Sequence, residues 1–193
     1  MSKQFLRFVW EAYDLLQSEV LCDVDLSQAT DDLERSITQL LEPRISRVMS
    51  GDEPFYVQHG PYEHETREPA PAQPPQYDIA FVLSANPRIM WPLEAKVLTT
   101  ENAVSEYVKE VKDSFLSCRY APFVPAAAML GYLVGGSGSK TLRAIAKKLP
   151  CKMRQVGGFE SRAHKYSSHE RLVPKEKKYP KVFRCHHLIM PLS

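Results

Sequence analysis

No apolar run in this chain approaches the roughly 20 residues that span a bilayer. The opening Met1-Ser2-Lys3-Gln4-Phe5 also lacks the sustained apolar stretch and small-residue cleavage site of a secretory signal. Both absences predict a cytoplasmic protein with no membrane contact. Cys22, Cys118, Cys151 and Cys185 are far apart and form no C-x-x-C pair, so neither a zinc ribbon nor a disulfide framework is indicated. Reduced, partly buried thiols are expected. Net charge is small as well, at +2, but it sums two unlike parts. Residues 140–187 hold 14 Lys and Arg against three acids, whereas the rest of the chain has 11 basic and 20 acidic side chains. A basic C-terminal part is the footprint of a surface that meets phosphates. It nominates Lys140, Arg143, Lys165 and Arg171 for nucleic-acid contact.

At 193 residues and 44% hydrophobic, the chain fits one domain with a core that needs no covalent staples. Phe5, Val9, Ala12, Leu16 and Val20 recur at helical spacing, and Phe8, Tyr13 and Leu15 widen the stripe. So broad a face calls for two neighbouring elements, or for a protein partner or second copy laid against the N-terminal helices. A second helix opens near Thr30 or Asp31, both good N-caps, with Asp32 and Glu34 favoured by the helix dipole. Leu33, Ile37, Leu40, Leu41 and Val48 form its buried stripe. Glu34 falls at the stripe's edge, where an inward-turned carboxylate needs a partner.

Residues 54–59 have strand character, and the proline-rich residues 60–76 read as a long irregular loop. Residues 77–97, YDIAFVLSANPRIMWPLEAKV, read as two short strands and a tight loop. Alternation puts Ile79, Phe81 and Leu83 on one face of the first strand. It puts Trp91, Leu93, Ala95 and Val97 on one face of the second and Glu94 and Lys96 on the other. Pairing symmetric about Asn86 sets positions summing to 172 opposite each other, so Asp78 faces Glu94. Like charges across a strand pair destabilise it unless neutralised, and a divalent cation would do so. Pro92 cannot donate to a ladder and suggests a bulge that would shift this register.

Asp78, then fifteen residues, then Glu94-Ala95-Lys96 resembles the active-site signature of the PD-(D/E)XK nuclease superfamily, with Tyr77 where that signature usually has proline. The resemblance implies a restriction-endonuclease-like αβββαβ core: an α/β fold with a central mixed sheet flanked by helices. It also implies Mg²⁺, with Mn²⁺ as a substitute, held by Asp78 and Glu94. Glu34 would be a third carboxylate and metal ligand, from the helix before the sheet, and Lys96 would orient or activate the attacking water. The single domain then divides into N-terminal helices (1–50), a catalytic core (51–136) and a basic part (137–193). What the resemblance implies is a Mg²⁺-dependent endonuclease acting on nucleic acid, DNA foremost, of the kind found in bacterial restriction or anti-phage defence. The alternative is an idle nucleic-acid-binding or assembly subunit of the same fold.

Beyond the hairpin, Thr99, Thr100 and Glu101 read as the cap of a helix carrying Val104, Tyr107, Val108, Val111 and Phe115. The apolar residues 126–134 read as a strand covered on both faces. Helix, strand, strand, strand, helix, strand is the order the resemblance implies. Residues 135–141, GGSGSKT, are like a phosphate-binding loop, but Ser139 stands where the Walker pattern requires glycine. A helix from 142 to 149 and a short strand over 151–156 follow, and the polar, basic residues 161–181 read as a solvated segment. Residues 182–192 close the chain as a strand. His186 and His187 would point to opposite faces of it, which argues against zinc.

Overall fold

The structure is a computed structural model that describes residues 1–68 and 72–192. Two helices open it, α1 (Ser2–Glu19) and α2 (Thr30–Val48), joined through a 3₁₀ turn at Leu21–Asp23. No side chain caps α2: Ala29 stands at the cap position, and Asp31 and Asp32 supply first-turn charge instead. Three strands follow, β1 (Phe55–His59), β2 (Ile79–Leu83) and β3 (Met90–Leu98). Helix α3 (Ser105–Glu110) starts several residues later than its expected cap and widens into a π-type segment, Val111–Leu116. Then come β4 (Ala126–Leu133), α4 (Gly138–Lys148), β5 (Arg154–Gln155), β6 (His164–Glu170) and β7 (Val182–Pro191).

The seven strands form one mixed sheet in the order β1-β2-β3-β4-β7-β6-β5. The β3–β4 and β4–β7 pairs are parallel and the others antiparallel. Alternation along the strands explains the two-layer cover. Ile79, Phe81, Trp91, Leu93, Ala128 and Leu130 pack with α1 and α2 on one face. Ala80, Val82, Met129 and Leu133 pack with α3 and α4 on the other. Every residue of β4 is buried, as expected of a strand covered on both sides. The breadth of α1 is used within the chain: Phe5 contacts Phe55, Phe81 and Trp91, and Trp10 contacts Tyr13 and His164. Among the described residues, no helix is long and apolar enough to cross a membrane.

Three expectations are corrected. Residues 161–181 do not form a wholly irregular segment, because β6 pairs with β7 along its full length. The proline-rich loop holds a Tyr62↔Gln76 bridge and a Glu63 N–H to Pro75 carbonyl bond; Pro69 and Pro71 lie outside the described residues. Pro92 makes no bulge. Ile79↔Leu93, Ala80↔Pro92, Phe81↔Trp91 and Val82↔Met90 keep one unbroken register. The β3 amides facing β2 belong to odd-numbered residues, so the donor missing at Pro92 would have pointed toward β4. Pro92 precedes the first β3–β4 pair, Leu93↔Ala128, and no ladder bond is lost.

Candidate active site

β2 and β3 are paired as far as Ile79↔Leu93 and then part. At Asp78 the chain swings toward the proline-rich loop, its carbonyl accepting from Gly60 N–H, while Tyr77 N–H donates to the Pro61 carbonyl. β3 runs on with β4 along one edge only. Its two amides on the open edge are met by side chains in place of a strand. Ala95 N–H donates to Asp78 Oδ2 at 2.7 Å, and Val97 N–H donates to Glu34 Oε2 at 3.2 Å. The other Glu34 oxygen accepts from Lys96 Nζ at 2.7 Å, and Asp78 N–H donates to Glu94 Oε1 at 3.2 Å. Asp78, Glu94, Lys96 and Glu34 therefore meet at one fork in the sheet.

Burial sets the electrostatics. Glu94 is 4% exposed, and burial pushes its carboxyl well above the ordinary range, with the charges of Asp78 and Glu110 adding to the rise. Burial likewise raises Asp78, against the pull of Ala95 N–H and Lys96. The charge of Asp78 is the second cause of the rise at Glu94, so ionisation of one carboxyl opposes ionisation of the other. Glu34 is also raised by burial, with Lys96 opposing. Burial alone would lower Lys96, but Glu34, Asp78 and Glu94 outweigh it and hold the ammonium charged. A charged lysine is a donor only.

Two open clefts reach the fork from either side of the first turns of α2. One, of about 420 Å³, is lined by Glu34, Arg35, His59, Gln76 and Asp78 among others. The second, of about 350 Å³, is bordered by Asp31, Glu34, Lys96 and Glu106.

Among the described residues, no group of three or more His, Cys, Asp or Glu side chains is arranged to hold a metal ion. Mg²⁺ does not require one, because it keeps several waters and is commonly held by one or two carboxylates. Asp78 and Glu94 fit that donor set: two oxygen ligands of like charge, one half-buried and one buried, brought together at a cost that a cation would relieve. Glu34 fits less well, since Lys96 and Val97 engage both of its oxygens.

Three residues at the site escaped sequence reasoning. Glu110 approaches from α3 and pushes Asp78 and Glu94 upward; its position beside Tyr107 and Val111 on the buried flank of that helix was the available signal. Glu63 is buried and accepts from Tyr77 Oη at 2.7 Å, and the same hydroxyl accepts from Ala121 N–H. This braces the residue before Asp78. Tyr120, whose hydroxyl donates to the Gln76 carbonyl, completes the brace.

The four residues nominated for phosphate contact do not stay together. Lys140 and Arg143 are exposed on α4, with Lys140 paired to Glu101 at 3.4 Å. Lys165 is half-buried on β6, three strands along the sheet from β3. Arg171 is a correction: it is buried, and its guanidinium donates to the carbonyls of Phe115, Tyr120, Ala121 and Val124 while stacking on Phe183. Four of its five N–H donors are committed to main-chain carbonyls and it is closed off from solvent, so its work is to tie the β6–β7 turn to the loop before β4. The glycine-rich turn at 135–140 is also filled from within, since Glu101 Oε2 accepts from Ser137 N–H at 3.1 Å. His186 and His187 do face opposite ways: His186 bonds His164, while His187 bonds Tyr107 and Ser167.

No family model, curated protein or solved structure matches the chain.

Proposed function

We propose that the protein is a metal-dependent phosphodiesterase acting on nucleic acid, with its active site at the β2–β3 fork and a restriction-endonuclease-like core. The observation that carries this reading is the placing of half-buried Asp78 beside buried Glu94, with Lys96 next to them. A protein gains nothing in stability by bringing two carboxylates together out of water, so such an arrangement points to a ligand that needs both. The element order α2-β1-β2-β3-α3-β4 agrees with that of the proposed core.

Bound Mg²⁺ or Mn²⁺ would polarise the scissile phosphate and lower the pKa of a bound water. Asp78 and Glu94 are the residues that would hold it. Lys96 stays an ammonium, so it cannot take the proton of the attacking water. Instead it donates hydrogen bonds to the water oxygen and to the phosphate as negative charge builds. Glu34 is a positioning residue in this scheme: it holds Lys96 at the fork through Nζ and through Val97 N–H. The attacking water gives up a proton to solvent, the bond formed is its oxygen to phosphorus, the bond broken is phosphorus to one ester oxygen, and that oxygen leaves with a proton supplied from solvent.

One observation favours a second reading, a nucleic-acid-binding subunit with an idle site. Asp78 Oδ2 and both Glu34 oxygens already serve main-chain and lysine donors. The two readings separate in one experiment: incubation of duplex, single-stranded and junction DNA and of RNA with Mg²⁺, Mn²⁺ or EDTA, beside Glu94→Ala and Lys96→Ala proteins. Metal-dependent cleavage lost in both variants is expected. Cleavage undiminished in either variant, or none by the wild type with any metal, overturns the enzymatic reading.

A further inference from the structure

Between Asp113 and Glu160 the sequence contains no acidic residue, while it contains seven Lys and Arg. The fold gathers most of that charge onto one surface. Helix α4 buries Thr141, Leu142 and Ile145 against the sheet and turns Lys140, Arg143, Lys147 and Lys148 outward. Lys140, Arg143 and Lys147 follow one another at three- and four-residue steps and so share a face of the helix. Lys152 and Arg154 extend the exposed charge past its end. Beside α4, a groove of about 400 Å³ runs between it and α3, lined by Ser105, Val108, Lys109, Lys112, Asp113 and Lys148. Lys148 Nζ donates to Ser105 Oγ at 2.6 Å and Lys112 Nζ to the Lys148 carbonyl at 3.4 Å, so both lysine stems lie across the groove. Arg143, Lys147 and Lys152 form no ion pair among the described residues.

We propose that the outer surface of α4 and its groove with α3 bind the sugar-phosphate backbone of a nucleic acid, and that this surface, not β6 or the β6–β7 turn, anchors the substrate. The proposal rests on the phosphodiesterase reading. It also answers a difficulty in that reading, because each cleft at the fork has more acidic than basic side chains, Asp31, Glu34 and Asp78 against Arg35 in one and Asp31, Glu34 and Glu106 against Lys96 in the other, and so offers a polyanion little attraction. Attraction must come from elsewhere, and α4 begins beside Glu101, just past the end of β3. The chemistry fits phosphates better than a lipid surface. A membrane-binding helix presents an apolar face to the acyl region, whereas the apolar residues of α4 are consumed by the core.

The test is fluorescence anisotropy with labelled 30-mers of duplex DNA, single-stranded DNA and RNA, in EDTA so that cleavage plays no part, over a series of salt concentrations. Wild-type protein should bind with a steep salt dependence. Arg143→Glu/Lys147→Glu/Lys152→Glu should weaken binding by roughly tenfold or more and reduce the slope of log K against log salt by about 2–3, as expected when three phosphate contacts are lost. Lys175→Glu/Lys178→Glu, in the exposed β6–β7 turn, should leave that slope unchanged. Circular dichroism and melting confirm that the surface variants fold. Binding by the wild type with the same slope in the α4 variant overturns this inference and leaves the phosphodiesterase reading standing. Failure of the wild type to bind any of the nucleic acids removes both. Binding to phosphatidylserine vesicles in preference to all three also overturns it, and the three probes tell DNA from RNA.

Discussion

Glu34 Oε1 accepts from Lys96 Nζ at 2.7 Å while its Oε2 accepts from Val97 N–H at 3.2 Å, so a single carboxylate fixes a side chain and the main chain of the same strand. The two partners span 62 residues of sequence, and the bond ties α2 to the open edge of β3. Removing the carboxylate leaves a strand amide and an ammonium unsatisfied together.

Glu34→Ala should therefore destabilise the fold by about 1–3 kcal/mol, the usual cost of a partly buried donor left without an acceptor. Lys96→Ala should cost less, because Glu34 keeps Val97. The double variant should be more stable than the sum of the single losses implies. Urea denaturation of the four proteins closes the cycle, and strict additivity would show that the ion pair contributes nothing.

Glu94→Gln should abolish metal-dependent cleavage and at the same time stabilise the apo protein. Burial and the neighbouring carboxylates raise the folded-state pKa of Glu94, so its ionisation opposes folding increasingly as pH rises. Gln has the same shape without that charge. The melting temperature should rise by a few degrees, on the order of 2–4 °C at pH 8, and the gain should shrink as pH falls toward the ordinary carboxyl value, where the unfolded chain also becomes protonated. Mg²⁺ should raise the melting temperature of the wild type and not that of the variant. A variant less stable than wild type at pH 8 would contradict the burial argument.

Arg171→Met should cost about 3 kcal/mol or prevent folding, since it strands several carbonyls that one guanidinium satisfies. Arg171→Lys should also be destabilising, because an ammonium cannot reproduce the planar fork. In any soluble Arg171 variant the salt dependence of nucleic-acid binding should be unchanged, which thermal melts and anisotropy together would check.

The protein should be acid-labile in a window set mainly by three histidines, with His169, also lowered by burial, acting in the same direction. Burial lowers His164 and His187 to about 3 and His186 to about 4, from 6.5. Their stabilisation is complete above the unfolded value of 6.5 and is lost as pH falls toward the folded values, because only the unfolded chain takes up the protons. Each histidine contributes a slope of up to about 1.4 kcal/mol per pH unit in that window. The raised carboxyls of Asp78, Glu94, Glu34 and Glu63 act in the opposite direction and blunt it. Urea midpoints at pH 7, 6 and 5 should fall less steeply for His187→Asn than for wild type, and equal slopes would refute the assignment to His187.

Much of the site could be read from the chain because it depends on local alternation. The sum rule that set Asp78 against Glu94 is the register of β2 and β3, and Glu34 at the edge of an apolar stripe did turn inward to a partner. Pro92 misled because a missing donor matters only where a ladder bond exists, and which side of β3 is paired depends on where β4 begins. Arg171 misled for a related reason: in a basic segment its burial is decided by Phe115, Tyr120, Ala121 and Val124, some fifty residues away. β6 was obscured because His164, Ser167 and His169 are polar residues that find buried partners, so the strand has no apolar alternation to reveal it. Glu110 was legible only in part: its spacing from Tyr107 and Val111 set it on the buried flank of α3, but the packing that brings it to Asp78 and Glu94 is tertiary.

The parting of β2 from β3 gives the site its own built-in gauge. Ala95 and Val97 are strand amides whose protection from solvent depends on two side chains, Asp78 and Glu34, and not on a neighbouring strand. Whatever draws either carboxylate away, whether cation, proton or substrate, must unlatch one of these amides. Hydrogen–deuterium exchange at two backbone positions can thus follow occupancy at the fork, and can tell which carboxylate has moved, even in a variant that cleaves nothing.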